Sequence, residues 1–326
     1  MQPTASGIDD LIDGIVDMCG IYFDRHGWRA YLSWFAREVP AYLDRFGHRF
    51  CSLAGVAEDD YWEALARSPL AAAELLVERG SLSMGEAAYL SSLEAQGVAL
   101  QVVHGLDALH PQAGTVNDWL AGVARRSDGR LQAWAGLDMR RPAFAARELE
   151  RLVADEGMGG GTLCPFIDGV KPDDPSVAPV YDTARRLGVP LWIHTGNHFA
   201  TTRPVDFCTW REIDRVAIAF PELVVIAGHG GWPWIAEMVA VCHRHRNVYL
   251  EFSTHRGRMI GQPGAGWEPM LLLGGRMMVD KVMFGATEWV NGVSIRDLAR
   301  EVAALDLKPA VKRAWLCENA LRLLRR

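Results

Sequence analysis

Histidines and carboxylates recur in this chain at one kind of place, the end of a short apolar run. PLWI is followed by His194 and ELVVIAG by His229, while VALQVV runs into His104 and NVYL into Glu251. Imidazoles and carboxylates gathered at one point can trade protons with a bound molecule or hold a divalent ion. Reading the same position after each run gives, in order, Asp17, His104, Asp138, Cys164 with Asp168, His194 with His198, His229, Glu251, and Thr287 with Glu288. These side chains do not weigh equally. Asp138 and Asp168 suit loop caps as well as a site, and nothing beside Cys164 in the sequence would lower a thiol's pKa. His243 and His245, in CHRHR ahead of a strand, fall at the opposite end of the pattern.

The elements that must position these groups are read from the runs themselves. Each run is too short for a core helix and rich in β-formers, as strands buried on both faces are. Between His194 and His229, DRVAIAF carries apolar residues at helical spacing, and two parallel strands need such a crossover. Both histidines then stand at the carboxyl ends of neighbouring parallel strands, where α/β sheets and barrels carry their sites. The alternation extends through strands at 98–105, 131–139, 161–166, 247–253 and 281–289, with helical patterns between them. A first strand near 11–18, in DLIDGIVDMCGIYF, brings the number to about eight, which a closed (β/α)8 TIM barrel requires. Residues 26–95 read as helices broken at glycines and prolines. The fold expected is therefore a single α/β barrel domain over residues 1–326, with a helical insertion at about 26–95 after the first strand.

Composition narrows the partners. The chain is 49% hydrophobic and 23% charged with a net charge of −6, a globular balance that offers no field for nucleic acid or an anionic membrane. A small-molecule substrate is the partner expected. Six cysteines are scattered with no CxxC pair, which argues for a reducing compartment and against a thiolate zinc site. Residues 1–10 are polar and acidic, and no run approaches the roughly 20 apolar residues of a membrane span. The expected location is the cytoplasm.

HTGN after a strand, HGGWPWIAEMVAV, RNVYLEFS, GWEPML, KVMFG and the terminal LCENALRLL carry a resemblance. Over roughly residues 85–326 the chain resembles the amidohydrolase-related family that includes aminocarboxymuconate semialdehyde decarboxylase and other decarboxylases and hydrolases. The resemblance implies a (β/α)8 barrel, in many members with one divalent metal, often zinc. That ion is held by an HxH or ExH pair on the first strand, the strand-five histidine and a strand-eight aspartate, and the strand-six histidine commonly serves in catalysis. His194 matches the strand-five ligand and His229 the strand-six histidine. The first strand departs, since IDGIVDMCG puts Ile15 and Asp17 where histidines would stand. So does the eighth, where FGAT places Thr287 at the aspartate position and Glu288 one residue later.

The expectation is an acid/base enzyme with no essential metal. His229 and His194 exchange protons with a small carboxylated or cyclic substrate in decarboxylation, elimination, cyclisation or hydrolysis, and Glu251 orients an imidazole or serves as partner base. Asp17, His104, His198, Trp232, Trp267, Thr287 and Glu288 complete the substrate site. Two alternatives stand beside it. In one, zinc or another divalent ion is rebuilt on His194, Asp17 and His229, with His198 and Glu288 as further donors; in the other, the barrel only binds a ligand. The insertion and the segment 255–269 are expected to cover the mouth, with Trp267 as a wall, and the competing use of the insertion is a homodimer interface.

Overall fold

Apolar runs with no polar face become strands covered on both sides, and the first strand, β1 (Ile15–Gly20), is buried at every position. In the computed structural model, which describes Ile12 and residues 14–324, seven more barrel strands follow. They are β2 (Val98–His104), β3 (Leu131–Leu137), β4 (Gly161–Leu163), β5 (Leu191–His194), β6 (Val225–Gly228), β7 (Val248–Glu251) and β8 (Val282–Met283). Each pairs in parallel with the next, in chain order. At the seam between β8 and β1, the Met18 N–H donates to Phe284 O at 3.0 Å and the Thr287 N–H to Cys19 O at 3.2 Å. The result is a nearly closed parallel barrel with helices between its strands, as the alternation predicts.

The strand expected near 11–18 starts later, at Ile15, after Gly14 turns the chain at φ 82°. Leu11, Asp13 and the acidic stretch 1–10 lie outside the described residues. Inside the barrel, Val16 and Met18 pack with Val102, Trp134, Trp192, Ile226, Tyr249 and Met283. Ile15 packs instead with the outer layer of strands and helices. Side chains alternate along a strand, so Asp17 shares the outer side with Ile15. The pairing of β1 with β2 then slips between Asp17 and Gly20, and Cys19 joins the interior set.

Between β1 and β2 run α1 (Arg25–Glu38), α2 (Ala41–Ala54), α3 (Glu58–Arg67), α4 (Pro69–Arg79) and α5 (Glu86–Ala95). The carboxylate of Asp24 caps α1 by accepting the Gly27 N–H at 2.8 Å. Trp28, Leu32, Leu43, Phe50, Tyr61 and Leu76 form a core that belongs to the insertion. Phe166, Ile167 and Cys208, from the loops after β4 and β5, join that core, so the insertion sits over the carboxyl ends of the strands. Among the described residues no helix is long and apolar enough to cross a membrane.

Candidate active site

The carboxyl ends of the strands open on a cavity of about 480 Å³. Its floor is made by Cys19, His104, Thr162, Trp192, His194, His229 and Thr287; Tyr31, Trp34, Phe35, Tyr42 and Phe46 of α1 and α2 reach in from the insertion, with Phe199 and Trp289. Among the described residues no Asp, Glu, Lys or Arg lines it. Polar chemistry in this space therefore rests on imidazoles, hydroxyls, the Asn197 amide and the thiols of Cys19 and Cys164.

The imidazoles divide into spent and unspent. The His104 Nε2–H donates to Met18 O at 3.0 Å, which leaves Nδ1 to accept from the Thr162 hydroxyl at 2.5 Å. Burial holds this ring neutral, its pKa lowered to about 4. His198 donates from Nε2 to Pro204 O at 3.0 Å and accepts the Ala200 N–H on Nδ1 at 3.3 Å. Both rings are thus locked as part of the wall. His194 differs, because its buried Nδ1 has no hydrogen-bond partner among the described residues. Its ring centre lies 4.8 Å from that of His229. Burial, and then the neighbouring His229 and His198, keep it well below the usual imidazole range.

His229 is held from behind. Its Nδ1 lies 2.7 Å from the Ser253 hydroxyl, and that hydroxyl lies 2.8 Å from Glu251 Oε2. Glu251, fully buried, also accepts the Trp192 indole N–H at 3.0 Å and the Ser253 backbone N–H. Burial raises its pKa to about 7 against these stabilising donors. A Cβ on Gly285 would collide with this carboxylate, so only glycine lets β8 pass so close. Among the described residues His229 Nε2 has no hydrogen-bond partner, and the ring lines the cavity. The ring's pKa is driven down to about 3 by burial and then by His255 and His104. Glu251, Ser253 and His229 therefore form a proton file that starts at a carboxyl titrating near neutrality and ends at an open imidazole nitrogen. His229, Thr254 and Thr287, just beyond β6, β7 and β8, all take left-handed backbone conformations (φ 63°, 67° and 44°). Such strain costs about 1–3 kcal/mol per non-glycine residue and gathers at functional sites.

His104, His194, His198, His229, Trp232 and Thr287 all face this cavity, and Glu251 stands directly behind it. Asp17 does not reach it. From the outer side of β1 its carboxylate accepts the Gln101 side-chain N–H at 2.8 Å, the Cys19 N–H at 3.0 Å and the Ala286 N–H at 2.7 Å. Its place is in the seam that closes the barrel. Glu288 turns away to meet Gln96, and Trp267, 2% exposed, stands behind His255 with its ring against Gly230. Of the segment 255–269, His255 lines the cavity with its neighbour Thr254. His255, Ser253, Asn197 and Cys19 are site residues that reading strand ends passes over. The signal for Ser253 and His255 was present, as alternate positions after Glu251 in EFSTH.

The amidohydrolase family profile matches residues 84–326. A gamma-resorcylate decarboxylase from Polaromonas sp. is 30% identical over 182 residues, 47% of this chain and 55% of that protein, so the chain spans little more than half of that relative. Among solved structures, a TIM-barrel protein from Bordetella bronchiseptica aligns with a TM-score of 0.67 at 21% identity, over 96% of this chain and 98% of that one. The 5-carboxyvanillate decarboxylase from Novosphingobium aromaticivorans, complexed with manganese and 4-hydroxy-3-methoxy-5-nitrobenzoic acid, aligns with a TM-score of 0.65 at 18% identity over 97% of each chain. Both structural likenesses bear on the fold.

Manganese favours hard oxygen donors in an octahedron. Asp17 is spent in the seam, and Thr287, at the strand-eight position, donates its hydroxyl to Cys19 Sγ at 3.3 Å. The donors that converge are instead Cys19, His229 and Glu251, whose ligand atoms lie within 4.8 Å of one another. A thiol that burial holds protonated, an imidazole and a carboxylate already engaged by the Trp192 indole and the Ser253 backbone N–H do not fit manganese. With the family profile spanning most of the sequence and the barrel bringing the strand-five and strand-six histidines together, the chain belongs to the amidohydrolase family and is an enzyme of it.

Proposed function

We propose that this enzyme decarboxylates a hydroxylated aromatic acid by proton transfer from its own side chains, with no essential metal. The observation that carries the reading is the file Glu251–Ser253–His229, ending in an open nitrogen 4.8 Å, ring to ring, from the unpartnered His194. The likeness to gamma-resorcylate decarboxylase supports the reaction class.

The chemistry follows from which nitrogens are available. His194 accepts the proton of the ring hydroxyl, and electron density moves into the ring as the carbon bearing the carboxylate takes a proton from His229 Nε2. As that proton leaves, His229 Nδ1 takes one from the Ser253 hydroxyl, and Ser253 takes one from the Glu251 carboxyl. The carbon–carboxylate bond then breaks and its electron pair restores aromaticity. CO2 departs, the ring oxygen recovers its proton from His194, and solvent reprotonates Glu251. Relaying the proton lets the neutral His229 act as an acid without becoming a buried cation, and the imidazolium formed for a time at His194 is paired with the negative charge of the substrate itself. The uncharged cavity helps the same step, because a carboxylate stripped of water is destabilised relative to neutral CO2. Six cysteines scattered along the chain with no CxxC pair support a reducing compartment, the cytoplasm, as its location.

The convergence of Cys19, His229 and Glu251 favours one second reading, in which zinc, whose usual donors are of these types, sits there. The test is turnover of hydroxybenzoates and hydroxynaphthoates, followed by CO2 release, on protein assayed for metal content and treated with chelator. Release of CO2 by metal-free protein, lost in His229→Asn, is the expected result. Activity that needs one equivalent of zinc selects the second reading, and no release from any hydroxylated aromatic acid overturns the proposal.

A further inference from the structure

We propose that the substrate is an extended aromatic acid of two or more rings, whose far end carries a hydrogen-bond acceptor beneath the insertion helices. This deepens the function proposed above and takes from it only that the histidine floor holds the reacting end. Four observations lead to it.

The first is size. A cavity of about 480 Å³ falls in the range of roughly 300–1,000 Å³ that holds drug-sized ligands. At about 30 Å³ per water it has the room of roughly sixteen waters, well beyond the ten or so heavy atoms of a one-ring hydroxy acid. The second is the roof. Phe35 stacks on Tyr42 with ring centres 3.8 Å apart, and Trp289 lies 5.3 Å from Tyr42 and 5.5 Å from Phe46. These rings make an aromatic face distant in sequence from every histidine of the floor, and a one-ring acid seated on the floor would leave it against water.

The third is charge. Among the described residues no lysine or arginine lines the cavity to pair with a carboxylate. The affinity that offsets stripping water from the acid must therefore come from apolar area, and one ring supplies little. The fourth concerns unspent polar atoms. The Tyr31 and Tyr42 hydroxyls satisfy each other at 2.7 Å. The Trp289 indole N–H, in the same roof, is buried without a partner among the described residues. A buried donor left unmade is costly, so a carbonyl or phenol oxygen at the far end of the ligand is its natural complement.

The experiment is a binding ladder on the full chain, read by calorimetry. It uses 2,6-dihydroxybenzoate, 1-hydroxy-2-naphthoate, a hydroxyanthracene carboxylate and the matching hydroxyanthraquinone carboxylate, which adds carbonyl acceptors. Affinity is expected to rise about tenfold from one ring to two, as the added apolar surface warrants. It should rise again for the quinone over the anthracene, and Trp289→Phe should narrow that last gap. A flat ladder or one favouring the single ring overturns the proposal, and the wild-type ladder decides this even if the variant folds poorly. A quinone advantage unchanged by Trp289→Phe overturns the acceptor at the roof. The ladder is independent of turnover: a rising ladder without CO2 release would sustain this inference and defeat the proposed reaction. Release of CO2 from the one-ring acid with no binding of larger ones would do the reverse.

Discussion

Replacing Glu251 with glutamine tests the proton file, because the side chain keeps its shape and loses only its ability to give up a proton. In the wild type the carboxyl titrates near 7, against 4.5 in the ordinary case. If decarboxylation draws its proton from this group, turnover should be level below that value and fall about tenfold per pH unit above it. Glu251→Gln should lower turnover by about 10²- to 10⁴-fold, the size of a general-acid contribution, and should abolish the limb near pH 7. The same shift fixes the sign of a stability effect. A carboxyl whose pKa is raised on folding contributes stability that is fully present below its unfolded pKa and lost as pH rises through the folded one. Between pH 5 and 8 that loss is about 2–3 kcal/mol at about 1.4 kcal/mol per pKa unit. Glutamine does not suffer it. Its amide nitrogen, however, faces a donor from Trp192 or Ser253, leaving one unpaired at about 1–3 kcal/mol. The absolute stability of the variant is therefore a balance, but its stability relative to wild type should rise by about 2–3 kcal/mol from pH 5 to pH 8. Urea unfolding at the two pH values, with a pH–rate profile on the same samples, measures both. Near wild-type turnover with the limb at pH 7 intact would refute the file, and a pH-independent stability difference would refute the buried titrating carboxyl.

Other outcomes follow from the same geometry. His229→Asn should lower turnover by about 10²- to 10⁴-fold without changing the circular dichroism spectrum or the melting temperature by more than a few degrees. Protein stripped with chelator should keep its turnover; loss of activity restored by one equivalent of a divalent ion would place an ion on Cys19, His229 and Glu251. Asp17→Ala should act on stability, since three buried donors lose their acceptor at about 1–3 kcal/mol each. The folded fraction, measured by active-site titration, should retain turnover within a few-fold, and an intact melting temperature with a catalytic defect would restore Asp17 to the site.

Alternation of short apolar runs with helical spacings determined the barrel, because strands buried on both faces and their crossovers leave periodicities that no tertiary contact is needed to see. The same local rule put His104, His194, His229 and Glu251 at one mouth and marked residues 26–95 as an insertion. What each residue does there was decided only by neighbours distant in the chain. His104 is silenced by Thr162 and the carbonyl of Met18, whereas His194 finds no partner, and nothing in the runs ahead of them tells the two apart. Asp17 stays out of the cavity and Cys19, given no role by its spacing, lines it, because the slip in β1 resets the alternation and one residue of register moves a side chain to the other face of a strand. Glu251 is linked to His229 through Ser253, and its pKa is raised by burial beneath Trp192 and Gly285. The roof joins Tyr31 and Tyr42 to Trp289 across more than two hundred residues, so the cavity's size and its lack of charge belong to the packing of the insertion and appear in no single stretch of sequence.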